Sequence, residues 1–91
     1  RRVDRDRALA GYKDVNLNVL RHAAPEALVM TFSCSQHVEA DAFQSAVAAA
    51  AADAGRGCQL LARLGPGLDH PQALAHPEGR YLKGLLLRVT T

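Results

Sequence analysis

Apolar positions along the chain change their period several times, and each change predicts an element. Leu9, Tyr12, Asn16, Leu20 and Ala23 recur at three- and four-residue spacing, which predicts a helix over about residues 6–24 with one buried face. Val15 and Val19 widen that face, Gly11 weakens the helix interior, and Pro25 ends it because the residue before a proline avoids the helical region. Leu28-Val29-Met30-Thr31-Phe32-Ser33 is a nearly continuous run of strand formers, the pattern of a strand buried on both faces. Ser33-Cys34-Ser35-Gln36 breaks the run with small polar residues, and a second helix is predicted over 39–54. Phe43, Val47 and the alanines give that helix its apolar side, and Gly55 is placed to cap it in the left-handed conformation.

Gln59 to Leu64 reads as a second strand. Gly65-Pro66-Gly67 interrupts it, and a loop runs through Asp69-His70-Pro71 to Pro77-Glu78-Gly79 before a third strand from Tyr81 to Val89. The order helix, strand, helix, strand, loop, strand predicts an α/β unit with two main helices and a sheet of two parallel strands plus a final antiparallel strand. The crossover helix makes the first two strands parallel, whereas the last arrives without one. In such proteins ligands gather at the carboxyl ends of the strands, which draws attention to Ser33-Cys34-Ser35.

Composition narrows the functional classes. The 91 residues carry a net charge of +2, with 4% aromatics and no Trp, so the chain offers no aromatic platform for stacking bases. Arg1, Arg2, Arg5 and Arg7 form the one basic cluster, interrupted by Asp4 and Asp6, which reads as a solvated helix start. Two cysteines without a CxxC pair favour a reducing compartment over a disulfide framework. With no apolar run of membrane-spanning length and no signal-peptide pattern, a cytoplasmic location is expected. Cys34, His37, Asp69, His70 and His76 lack zinc-ligand spacing, so no metal is expected.

Three segments carry a resemblance when read together. Gly11-Tyr12-Lys13-Asp14-Val15-Asn16-Leu17, Thr31-Phe32-Ser33-Cys34-Ser35, and Asp69-His70-Pro71 followed by Pro77-Glu78-Gly79-Arg80-Tyr81-Leu82-Lys83-Gly84 resemble, in order and spacing, the RlmI-type 23S ribosomal RNA cytosine-C5 methyltransferases. One departure is Pro25-Glu26-Ala27, where that family usually carries a glycine-containing turn before the strand. A larger one is the absence of a glycine-rich loop, of an acidic residue after a second strand, and of an Asp-Pro-Pro segment.

The resemblance implies the C-terminal part of a Rossmann-like, class I methyltransferase domain whose cofactor-binding half lies outside these 91 residues. S-adenosylmethionine is then bound mainly by the missing part, ribosomal RNA is the partner of the complete protein, and the chain alone is inactive. It also implies that Cys34 is the catalytic nucleophile, since cytosine C5 methylation needs a thiol that adds to C6 of the base. From the residues alone a buried, unreactive thiol is the alternative.

Tyr12, Lys13, Ser33, Ser35, Asp69 and His70 are the candidate substrate-binding residues. Tyr12 and Asn16 are open between facing the cleft and packing inward, Lys13 between a phosphate and solvent, and His70 between the flipped nucleotide and a turn anchor. His37 is open between acting on Cys34 and marking an exposed helix entry, and Cys58 reads as a packed core thiol. Glu78, Tyr81 and Lys83 belong to the resemblance without an assignable role. Two other readings stand beside this one: a non-catalytic module forming a homodimer through an exposed strand edge at Leu28–Ser33, and a methyltransferase of the same fold with another substrate.

Overall fold

The computed structural model describes residues 2–65 and 82–91. Helix α1 (Arg2–His22) is followed by strand β1 (Leu28–Ser33), helix α2 (Ala40–Ala54), strand β2 (Cys58–Leu64) and strand β3 (Lys83–Val89). Asp69, His70, His76, Glu78 and Tyr81 lie outside the described residues.

Both helices lie on one side of the sheet. Leu20 of α1 and Phe43, Val47, Ala50 and Ala51 of α2 join Val29, Val38, Leu85, Leu87 and Val89 in one buried core. Tyr12 meets Phe43 edge-to-face with ring centroids 5.4 Å apart, so the two helices are pinned by an aromatic pair. Burial of Phe43, 1% exposed, contributes about 1.5–3 kcal/mol. The alanines of α2 allow close approach, and Gly55 (φ 68°) closes the helix as expected. Its N–H donates to Ala52 O and the Arg56 N–H to Ala51 O, satisfying two carbonyls that a helix end leaves free.

The face of α1 is narrower than its sequence suggests. Asn16 and Leu20 are buried, but Val15 is 62% exposed and Val19 44%, because the helix touches its neighbours along one stripe only. Asn16 is satisfied inside the helix, its Nδ2 donating to Tyr12 O at 2.7 Å.

The strand order is β1-β3-β2, with β3 antiparallel to both neighbours. The final strand is antiparallel, as expected. The two earlier strands do run in the same direction, but they are not paired with each other, because β3 occupies the place between them. Among the described residues β1 and β2 each keep one edge unpaired. Nor is β1 covered on both faces: Val29 and Ser33 point toward the helices, whereas Leu28, Met30 and Phe32 alternate away from them and are exposed. Phe32 lies opposite Gly84, and a side chain at that glycine would meet its ring at 2.5 Å, so the bare backbone of Gly84 makes room for the aromatic ring.

The link into β1 holds the family departure. Ala27 N donates to Ala24 O, with Pro25 and Glu26 between, and Glu26 has φ 71°. Proline followed by a residue of positive φ is the arrangement of a type II turn, whose third position favours glycine. The turn keeps the geometry that suits glycine although a glutamate stands there. Glu26 N and Val89 O, and Val89 N and Ala27 O, then tie it to β3.

Arg56 locks the same end of the molecule. Its Nη1 donates to Leu20 O and Ala23 O, both at 2.7 Å, and its Nε to Thr91 O at 2.6 Å. One guanidinium thereby satisfies carbonyls at the end of α1 and fastens them to the segment after β3.

Candidate functional site

β1 ends in a turn built by serine side chains. Ser33, 2% exposed, accepts the Ser35 N–H on its Oγ at 3.3 Å, and Ser35 Oγ accepts the His37 N–H at 3.1 Å. Short hydroxyl side chains that bond the backbone two residues on replace ladder bonds where a strand stops. Val38 N then donates to Ser35 O at 3.4 Å, and buried Val38 anchors the far side of the turn in the core. Cys34 stands between the two serines with its side chain exposed. The arrangement fixes the backbone on both sides of a thiol while leaving the sulfur reachable, which is what a nucleophile at a strand end needs.

Lys83 joins this turn from the other end of the chain. It lies opposite Ser33 in the β1–β3 register, and its Nζ donates to Ser35 O at 2.9 Å. Burial pushes the Lys83 ammonium below the usual lysine range, and its attraction to Cys34 opposes that shift. The turn therefore has a cation on the carbonyl of the residue that follows Cys34. Sequence reasoning gave Lys83 no role; only the pairing of Ser33 with Lys83 brings together residues so far apart in the chain.

Tyr12 and Lys13 of α1 meet α2. Tyr12 is half-buried against Phe43, and the Lys13 ammonium meets Asp53 of α2 at 2.8 Å. The hydrogen bond to Asp53, and then its charge, hold Lys13 above the usual lysine range. Asp53 lies near the end of α2, roughly 20 Å along the helix from its start, at 1.5 Å per residue. The structure thus brings Ser33, Cys34, Ser35 and Lys83 together, and engages Tyr12 and Lys13 in helix–helix contacts.

Two concavities lie apart from the turn. One of about 300 Å³ is lined by Val47, Ala51, Arg56, Cys58, Leu85 and Leu87, and one of about 440 Å³ by Arg5, Leu9, Lys13, Ala42, Ser45 and Ala46. Cys58 is packed against the core, and burial pushes its thiol up, with Arg56 opposing. Among the described residues no group of three His, Cys, Asp or Glu side chains converges to hold a metal ion. No described helix is long and apolar enough to cross a membrane.

Comparison with known proteins agrees with the motif reading. No family model matches the chain. Curated relatives do: it is 49% identical over 81 residues to Ribosomal RNA large subunit methyltransferase I of Tolumonas auensis, covering 89% of this chain and 20% of that protein. The protein of the same name from Shewanella amazonensis is 50% identical over 90% of this chain and 21% of its own length, and that from Pseudoalteromonas atlantica 48% over 92% and 21%. The chain spans about a fifth of the length of the curated relatives it matches. Over the stretch it shares with them, this chain is similar, at about half identity, to a fifth of the length of proteins named Ribosomal RNA large subunit methyltransferase I.

Proposed function

We propose that this chain is the C-terminal portion of a Rossmann-like methyltransferase domain, and that the complete protein methylates C5 of a cytosine in large-subunit ribosomal RNA with Cys34 as nucleophile. The observation that carries the reading is an exposed thiol on a rigid turn at a strand end, in a chain half identical to rRNA methyltransferases. Two co-directional strands joined through α2, with an antiparallel last strand, support the fold assignment.

The methyl donor implied by the family resemblance is S-adenosylmethionine, which supplies an electrophilic methyl group. The described residues do not fit it: neither concavity offers a glycine-rich backbone cradle or a carboxylate for a ribose. On this reading the donor site lies mainly in the part of the protein outside this chain, and the chain by itself is inactive. What Cys34 contributes is a covalent bond. Its thiolate adds to C6 of a flipped cytosine, making C5 electron-rich enough to take the donor's methyl group. A base outside the described residues then takes the C5 proton, the C5–C6 double bond re-forms, and the C–S bond breaks with its electron pair returning to sulfur. Ser33 and Ser35 hold the turn through these events. A soluble, cytoplasmic protein acting on ribosomal RNA is the setting that fits this chemistry.

The test uses the complete protein carrying this sequence, S-adenosylmethionine, and RNA containing 5-fluorocytosine. That base has no C5 proton to lose, so the thiol stays attached. Intact mass shows a protein–RNA adduct mapping to Cys34, and Cys34→Ala abolishes it. Absence of the adduct from protein that methylates unmodified RNA removes Cys34 as nucleophile.

A further inference from the structure

Lys83 is a polar group in contact with the Cys34 turn that the reaction scheme leaves unused. Its backbone sits in β3 opposite Ser33, and its ammonium reaches across to Ser35 O, so it bonds the residue next to the one that carries the thiol. Ser35 O also accepts from Val38 N, so the carbonyl has a backbone donor already. A purely structural turn would be closed by that donor and the serine hydroxyls. Drawing an ammonium partly out of water to add a second donor has a desolvation cost, which attraction to Cys34 opposes without cancelling.

Resting on the proposed function, we infer that Lys83 is the positioning residue for Cys34: it holds the Ser35 carbonyl and sets a positive potential where the sulfur carries negative charge. That charge is present twice in the scheme, before the thiolate adds to C6 and again when it departs. A cation fixed by the sheet serves both moments without moving, since the β1–β3 register places it before any substrate binds. Lys83 touches neither base nor donor; it acts through Cys34.

The potential can be read without reference to methylation. The complete protein is labelled with an equimolar mixture of iodoacetate, which is anionic, and iodoacetamide, which is neutral, and peptide mass spectrometry gives the ratio of the two products at each cysteine. The same thiolate attacks both reagents and displaces iodide from each, so the ratio cancels the ionised fraction and reports local charge. Lys83→Gln and Lys83→Met lower the ratio at Cys34 about threefold, the effect of one nearby charge in a mostly aqueous setting. Lys83→Arg keeps it near the wild-type value, and Cys58 shows the same ratio in every protein. A turn merely loosened by the substitution would change both products alike.

An unchanged ratio at Cys34 in Lys83→Gln overturns the inference. The same preparations are then given 5-fluorocytosine RNA and donor. If the wild-type protein forms no adduct, the proposed function fails while the labelling ratio still decides about the local charge. If it forms one at a rate that Lys83→Gln leaves intact, the positioning role fails alone.

Discussion

The two ends of β1 are closed by different chemistry. At its entry, the Ala24–Ala27 turn is held by backbone hydrogen bonds to itself and to β3, with Arg56 clamping the carbonyls just before it. At its exit, Ser33 and Ser35 hydroxyls and the Lys83 ammonium add their bonds to one backbone bond, Val38 N to Ser35 O. The entry tolerates a glutamate at positive φ, whereas the exit leaves a thiol exposed. The contrast teaches that the same strand is anchored at one end and equipped at the other. Damage to the first should register as lost stability, and damage to the second as altered reactivity.

The largest expected break is at the anchored end. Arg56→Met leaves the carbonyls of Leu20, Ala23 and Thr91 without their donor and should cost about 2–3 kcal/mol, since bonds to a charged donor are the stronger class. Denaturant unfolding measures this, and a loss near zero would mean water replaces the guanidinium. Alkylation of Cys34 in the folded variant should be unchanged.

A smaller stability effect with a larger local one is expected at the exit. Ser33→Ala removes the acceptor for the Ser35 N–H from a buried site, costing about 1 kcal/mol. Amide exchange at Ser35 should accelerate while exchange at Ala27 stays at its wild-type rate. Equal acceleration at both would show that the two ends open together and dissolve the contrast.

The smallest change runs the other way. Glu26→Gly places the residue that suits φ 71° where glutamate now stands and should stabilise by about 0.5–1 kcal/mol, after the extra entropy of glycine in the unfolded chain is counted. The exposed Glu26–Arg88 pair at 3.7 Å contributes little that could be lost. A raised denaturation midpoint with unchanged slope is the expected observation. A lowered midpoint would mean that the glutamate side chain outweighs its backbone strain.

What the sequence makes legible is what local spacing decides. The helix face of Leu9, Tyr12, Asn16 and Leu20, the left-handed Gly55 and the thiol at a strand end all follow from neighbours along the chain, and all are present. What stays hidden depends on partners distant in sequence. Val15 and Val19 carry the right hydropathy, but exposure is decided by how much of α1 the core can cover. The continuous apolar run of β1 looks like a two-sided strand, yet its outer face has no cover among the described residues. Lys83 and Arg56 are ordinary surface cations to a reader of the sequence. Their work emerges only where the chain crosses from β1 to β3 and from α2 back to α1.

The place of β3 between its neighbours has a consequence for synthesis. The central strand of the sheet leaves the ribosome after both strands it joins, and Ser33 waits for Lys83, 50 residues later, to pair with it. At elongation rates of roughly 5–20 residues per second that wait lasts about 3–10 s. During it β1 exposes Leu28, Met30 and Phe32 without its β3 partner, a segment open to mispairing and to chaperone capture. A nascent chain stalled between residues 64 and 83 carries β1 and β2 but not the strand that makes them one sheet.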